Sequence, residues 1–298
     1  MSGPQTESDP CVVVTGASSG IGKACALRLD ALGYRVFAGV RRDQDGQALR
    51  AEASDRLTPV SLDVTEAAGI AGAAESIGEA TTGLGLAGLV NNAGIAVIGP
   101  VEFVPLADLR RQLEINVVGQ VAVTQALLPL LRKGNGRIVN ISSISGRIAL
   151  PLFGPYAASK FALEALSDSL RRELRPWGIR VALIEPGVVD TPIWAKSEAA
   201  AATMFDNMGD EARRLYGPVV AATQRAVDNA KRKALTPDAV AQAVIHALTA
   251  KRPKTRYVLG SDARRPAVAA RLLPDWLVDR IIALVMGVSA REESPGSA

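Results

Sequence analysis

An apolar run, Cys11-Val12-Val13-Val14, leads straight into Thr15-Gly16-Ala17-Ser18-Ser19-Gly20-Ile21-Gly22, and a helical pattern follows from Lys23 to Leu32. Four apolar residues without alternation suit a parallel strand covered on both faces. Glycines let a turn approach a pyrophosphate, and the next helix start presents free N–H groups and the positive end of its dipole. Strand, glycine turn and helix start in immediate succession therefore predict a βαβ unit with a phosphate site. The spacing is GxxxGxG, not the GxGxxG of the commonest dinucleotide fingerprint.

The same alternation continues along the chain. Strands are expected at Arg35–Val40, at Leu57–Leu62, up to Val90 before Asn91-Asn92-Ala93-Gly94, at Arg137–Ile141, at Arg180–Ile184 and at Arg256–Leu259. Helical patterns cover Ala67–Ala80, Leu106–Leu131, Phe153–Arg175 and Ala239–Leu248, the last after the start signal Thr236-Pro237-Asp238. This order predicts an α/β fold: a single-domain, Rossmann-like, doubly wound parallel sheet of about seven strands with helices on both faces. The expected organisation is a disordered lead over 1–10, a domain over 11–262 with a substrate lid at about 191–235, and an apolar extension with a disordered end over 263–298.

Composition excludes several classes. With 298 residues and 48% hydrophobic content the chain can bury a large core, and no apolar run reaches the roughly 18 residues of a membrane span. The polar lead Met1–Pro10 does not read as a secretory signal, and Cys11 and Cys25 have neither zinc nor disulfide spacing, so no metal is expected and the compartment is read as cytoplasmic. A formal charge of +4 lies in short clusters (Arg41-Arg42, Lys231-Arg232-Lys233, Lys251-Arg252, Arg264-Arg265), and aromatic content is only 4%, which argues against a nucleic-acid groove.

Tyr156 and Lys160 are four residues apart on one expected helix, so both side chains reach one small volume. A nearby ammonium favours the phenolate and is expected to lower the phenol pKa from about 10, so that it can exchange a proton with an alcohol or ketone. Ser143 closes the fifth strand thirteen residues before Tyr156, on the edge where such sheets bind ligands. At the end of the second strand, where an acid would bind the adenosine 2′-hydroxyl of NAD, the chain has Val40, Arg41 and Arg42. A guanidinium there suits a 2′-phosphate, so NADP(H) is preferred over NAD(H). Asp63 either accepts from an adenine amino group or caps the next helix, together with Thr65. Asn116, an indifferent helix former in an apolar run, is suited to a buried water or a bent backbone segment.

With TGASSGIG at Thr15, NNAG at Asn91, Asn116, Ser143, YAASK at Tyr156 and PGVVDT at Pro186, the chain resembles the short-chain dehydrogenase/reductases from about Cys11 to Leu259. Ser54-Asp55-Arg56-Leu57, Leu62-Asp63-Val64-Thr65, Arg256-Tyr257 and Leu273-Pro274 resemble the retinol and hydroxysteroid dehydrogenase branch. The resemblance implies a catalytic tetrad. In it Tyr156 transfers the substrate proton, Lys160 lowers its pKa and bonds the nicotinamide ribose, Ser143 holds the substrate oxygen, and Asn116 binds a relay water. It also implies that Gly16, Ser18, Ser19, Ile21 and Gly22 line the pyrophosphate and adenosine side, Arg41 the 2′-phosphate, and Asp63 and Val64 the adenine. Asn92, Ala93 and Gly94 would pass under the cofactor, while Pro186, Gly187, Val189 and Thr191 orient its nicotinamide. A homo-oligomer, dimer or tetramer, is implied as well, paired through the helices that carry Asn116 and Tyr156.

Substrate contacts are expected from Ile95, Ser143, Leu152, Phe153, Tyr156, Ile193 and Trp194. Their apolar character predicts a lipophilic secondary alcohol or ketone, such as a steroid, a retinoid or a long-chain acyl compound. Two other functions are weighed: a 3-oxoacyl thioester reductase with the same tetrad, against which the branch-like tail and bulky lid argue, and a cofactor-sensing binding protein without chemistry, whose expected loss of the tyrosine or lysine is not seen. Trp276-Leu277-Val278 and Ile281–Met286 are too short to span a bilayer; they are expected to pack on the lid or a neighbouring subunit in preference to lying on a membrane surface.

Overall fold

A computed structural model describes residues 9–81, 83–260, 263, 268–269 and 272–286. The expectations for residues 1–8, for Arg264-Arg265 and for 287–298 lie outside these. Seven strands form one all-parallel sheet: β1 Cys11–Val14, β2 Arg35–Val40, β3 Leu57–Ser61, β4 Gly88–Asn91, β5 Arg137–Ile141, β6 Arg180–Pro186 and β7 Arg256–Leu259. Their spatial order is β3-β2-β1-β4-β5-β6-β7. The order reverses between β1 and β4, and the strand ends on either side of that reversal splay apart into a crevice. Pro59, which has no N–H to donate, sits in the edge strand β3.

The pleat of β1 divides the core in two. Val12 and Val14 face α1 (Gly20–Ala31) and α9 (Pro237–Thr249), joined by Leu29, Val240 and Val244. Cys11 and Val13 face α3 (Ala67–Ala80) and α5 (Gly119–Lys133), where Ile70, Val123 and Leu127 fill the opposite layer. Further α-helices among the described residues are α2 (Asp43–Arg50), α4 (Leu106–Leu113), α6 (Gly154–Glu173), α7 (Pro192–Asn207), α8 (Gly209–Lys231) and α10 (Asp275–Met286). Helices α7 and α8 occupy the region read as a lid, and α10 touches α8. Trp276, Leu284 and Val285 on α10 nevertheless stay exposed.

Two features differ from the sequence reading. The stretch Leu106–Lys133 is not one regular helix: residues Glu114–Val118 form a π-turn in which Gly119 N–H donates to Glu114 O. By length and apolarity this stretch matches a membrane span, but Gln112, Asn116, Gln120 and Thr124 are buried in it with protein hydrogen-bond partners. It packs as a core helix against α3 and β4. The sequence reading also passed over α2, a short polar helix whose Arg42 and Asp45 form a two-pronged pair at 2.8 Å.

Candidate active site

The carboxyl ends of the strands open into a cleft of about 810 Å³. Gly16 and Gly20 in the first turn have φ of +64° and +55°, a region that side-chain-bearing residues rarely adopt. A Cβ on Gly16 would lie 2.9 Å from Ala93 Cα, so only glycine lets the β4 turn pass this close. Ser19 precedes α1 without a capping side-chain hydrogen bond, which leaves the first N–H groups of the helix available to a ligand. Those are the features a pyrophosphate needs. Gly22 acts differently from expectation: it does not line the cleft, and a Cβ there would overlap Gly16 O and Asn92 Nδ2, so its role is tight packing beneath the turn.

Asn92 also works within the scaffold. Its Nδ2 donates to Thr15 O and Gly16 O at 2.9 and 3.1 Å, and Thr15 Oγ1 accepts from the backbone N–H of Asn92 and Ala93. Thr15, absent from the predicted site, thus joins β1 to β4 across the crevice. Of the predicted cofactor set, Ser18, Ser19, Ile21, Arg41, Asp63, Val64, Ala93, Gly94, Pro186, Gly187, Val189 and Thr191 all line the cleft with Gly16 and Asn92. Gly20, Gly39 and Leu62 line it too and were not predicted. Gly20 was legible as a member of the glycine-rich turn; in the fold a Cβ on it would meet Thr191 Cγ2 at 3.0 Å across the mouth.

Asp63 makes a local turn: Oδ1 accepts from the Thr65 N–H and hydroxyl at 3.0 and 2.8 Å. Burial works against its charge, but those bonds and Arg41 prevail and hold its carboxyl below the usual range. It does not cap α3, which begins at Ala67 after Glu66. Arg42 is occupied by Asp45, so Arg41 is the guanidinium of the pair that faces the cleft.

Tyr156 lies in the first turn of α6, Lys160 follows one turn later, and Ser143 stands two residues beyond the end of β5; all three line the cleft. Ser143 Oγ accepts from Ser145 N–H at 3.1 Å, which leaves its proton for a partner in the cleft. Lys160 is buried, with Nζ donating to Ile141 O at 2.8 Å and lying 5.7 Å from the Tyr156 ring centre. Burial pushes the Lys160 ammonium down to about 8, against the opposing pull of Glu164. The Tyr156 phenol moves up, not down: burial outweighs the lowering effect of its hydrogen bond with Ser143. The phenol therefore does not show the net lowering expected beside Lys160, because the cost of burying the phenolate sets the direction of its shift.

Asn116 does not reach the cleft. Its Oδ1 accepts from Ile95 N–H at 2.9 Å, and its Nδ2 donates to Ile95 O and Ser159 Oγ at 2.9 and 3.1 Å. Of the two partners open to it from sequence, the side chain takes the bent backbone. Gln112, which sequence reasoning missed, reinforces it by accepting from Val97 N–H at 2.6 Å and donating to Ile95 O at 2.8 Å.

On the substrate side, Ile95, Ile193 and Trp194 line the cleft, whereas Leu152 and Phe153 are buried behind it. Phe153 supports Trp194 edge-on, with ring centres 6.2 Å apart. Leu152 has φ of +68°, at the bend that accepts Gly99 N–H on its carbonyl. Ala200, Ala201 and Met204 of α7 complete the apolar wall. No group of three or more potential metal ligands occurs among the described residues.

A phosphate-binding turn, a tyrosine and lysine one turn apart and a strand-end serine thus share one cleft. The model of the short chain dehydrogenase family matches residues 10–202, and the chain belongs to that family. Over 279 residues it is 39% identical to retinol dehydrogenase 16 of Homo sapiens, covering 92% of this chain and 88% of that protein. It is equally 39% identical, over 274 residues, to the NADPH-dependent 3-dehydrocapnine reductase of Ornithobacterium rhinotracheale, covering 90% and 94%. A short-chain dehydrogenase from Streptomyces avermitilis shares its fold with a TM-score of 0.73 at 30% identity, over 95% of this chain and 96% of that one.

Proposed function

We propose that this protein is an NADP(H)-dependent oxidoreductase that interconverts a lipophilic secondary alcohol and its ketone. The observation that carries the reading is the convergence of the Tyr156 phenol, the Ser143 hydroxyl and the Lys160 ammonium in a cleft whose outer wall is apolar. Retinol dehydrogenase 16 supports a lipophilic alcohol as substrate, and the NADPH-dependent 3-dehydrocapnine reductase supports the coenzyme. The glycine turn and the open N-terminus of α1 would hold the pyrophosphate, and Arg41 the 2′-phosphate. When bound, the dinucleotide supplies or accepts the hydride.

The protein's part is geometry and proton traffic. In the ketone-to-alcohol direction Ser143 O–H donates to the carbonyl oxygen and steadies the charge that grows there. Tyr156 delivers the proton from its hydroxyl to that oxygen. A phenol kept protonated by burial is poised for this direction. Lys160, fixed on Ile141 O, sets a positive charge beside the ring and stabilises the phenolate that remains. Asn116 keeps residue 95 in place beneath the site.

The segment 191–235 serves as the substrate lid of a domain over 11–262, followed by the apolar extension from 263. The exposed Val118, Phe161 and Leu166, on the helices that carry Asn116 and Tyr156, support a homo-oligomer. The protein is read as cytoplasmic, with peripheral membrane contact open to the exposed face of α10. A panel of steroid, retinoid, long-chain acyl and small hydroxy-acid substrates, followed by NADPH and NADH absorbance, tests the proposal. Turnover of lipophilic ketones that disappears in Tyr156→Phe is expected; turnover restricted to small polar hydroxy acids would overturn it.

A further inference from the structure

The adenosine end of the cleft holds a cation from the lid. Lys196, one turn into α7, lines the cleft together with Arg41. Its charge reaches Asp45 of α2, on which Arg42, Lys196 and Arg41 all act to favour the carboxylate. Arg42 and Asp45 neutralise one another through their two-pronged pair. Among the described residues, neither Arg41 nor Lys196 forms a hydrogen bond or ion pair of its own. The corner between β2 and α2 therefore carries two cations that no hydrogen bond or ion pair holds, one from the sheet and one from the lid, with the carboxylates of Asp45 and Asp63 offsetting only part of the charge gathered there with Arg42. A phosphate monoester carries a charge of about −2 at neutral pH. A ribose hydroxyl carries none and would offer the two cations no counter-charge.

We propose that Lys196 and Arg41 form a two-sided clamp on the coenzyme's 2′-phosphate, so that NADPH, and not NADH, draws α7 down over the cleft. The inference rests on the NADP(H) reading above and extends it to the lid. The pyrophosphate already has its own seat in the glycine turn, so the lid lysine is left for the monoester. Lys196 thus acts as a specificity-determining residue that couples coenzyme choice to closure.

Calorimetry with NADPH, NADH and adenosine 2′,5′-bisphosphate on the wild type, Lys196→Met and Lys196→Arg tests this. Amide exchange over α7 gives a second readout that does not depend on turnover. The Kd for NADPH and for the bisphosphate is expected to rise about tenfold in Lys196→Met and to recover within about threefold in Lys196→Arg, with NADH changing less than about twofold. The bisphosphate is expected to slow exchange over α7 in the wild type and not in Lys196→Met. Equal losses for NADPH and NADH would assign Lys196 to the pyrophosphate and overturn the clamp, as would no loss at all. A wild type that binds NADH more tightly than NADPH would instead sink the coenzyme reading. A wild type that prefers NADPH, with Lys196→Met keeping that preference, would sink the clamp alone.

Discussion

Glu164 lies one helical turn beyond Lys160 on α6, and both side chains are buried. The carboxylate opposes the effect of burial on the ammonium, holding Lys160 higher than burial alone would. Glu164 is itself embedded among charges. Arg256 from β7 contacts Glu164, Glu185 and Asp168 at 3.1 to 3.2 Å, and Arg147 forms a two-pronged pair with Glu185 at 2.9 Å. Burial raises the Glu164 pKa and Arg256 works against that rise. The seventh strand is thereby tied electrostatically to the lysine beside the phenol.

Glu164→Gln removes the charge and keeps the shape. Lys160 should then lose its proton at lower pH, so the alkaline limb of the kcat/KM profile moves toward neutrality. At pH near 8 the variant is expected to be about fivefold slower than the wild type, with the gap closing at lower pH. A pH-independent loss would show that Glu164 acts only as packing.

The lowered lysine also predicts a stability change. An unfolded Lys160 titrates at 10.5 and the folded one at about 8. Between those values the unfolded chain binds more protons, so this group makes folding more favourable as pH rises from about 8 toward 10. Tyr156, raised above 10 in the fold, opposes the trend only beyond that point. Urea unfolding of wild type and Lys160→Met at pH 7.5 and 9.5 should show the wild type gaining about 2 kcal/mol relative to the variant. Parallel behaviour of the two proteins would mean that the amine is not desolvated.

Gly22→Ala tests the packing beneath the nucleotide turn. The added methyl would run into Gly16 O and Asn92 Nδ2, one a backbone atom and the other held by two hydrogen bonds, so neither can yield cheaply. A loss of about 3 kcal/mol in stability is expected, together with weaker NADPH binding as the turn shifts. The Gly33→Ala control isolates backbone strain from steric overlap, because its φ of +87° disfavours a side chain while a Cβ there meets nothing within 4 Å. Thermal unfolding that ranked Gly33→Ala as the more damaging variant would refute this role for Gly22.

Much of this molecule was readable beforehand. β1, β2, β5 and β7 fall on the predicted residues because each is a short apolar or β-branched run bounded by turn signals. Tyr156, Lys160 and Ser143 share a cleft because helix periodicity and strand-end position are local properties. What sequence could not show depends on where distant segments meet. The π-turn at Asn116 follows from its bonds to Ile95 and Ser159, neither of which local propensity encodes. The upward shift of Tyr156 needs the burial of the phenol, and Lys196 reaches the β2 corner only because α7 crosses the cleft. Leu152 and Phe153 have the right chemistry for a lipophilic pocket but face the scaffold behind it.

Asn116 and Gln112 converge on one carbonyl, Ile95 O, which accepts from both amides. Removing either amide leaves that oxygen one donor; removing both strands it. Asn116→Ala and Gln112→Ala should each lower stability by about 2 kcal/mol, since each also abandons a backbone N–H, of Ile95 or of Val97. The double variant is expected to lose about 1 kcal/mol more than the two single losses combined, a coupling that a double-mutant cycle in urea reads directly. Because residues 95 and 97 wall the cleft, KM for the lipophilic substrate should rise with each variant while coenzyme affinity holds. Strict additivity, or a KM unchanged in both single variants, would mean that the two side chains hold independent parts of the fold and do not shape the floor of the site together.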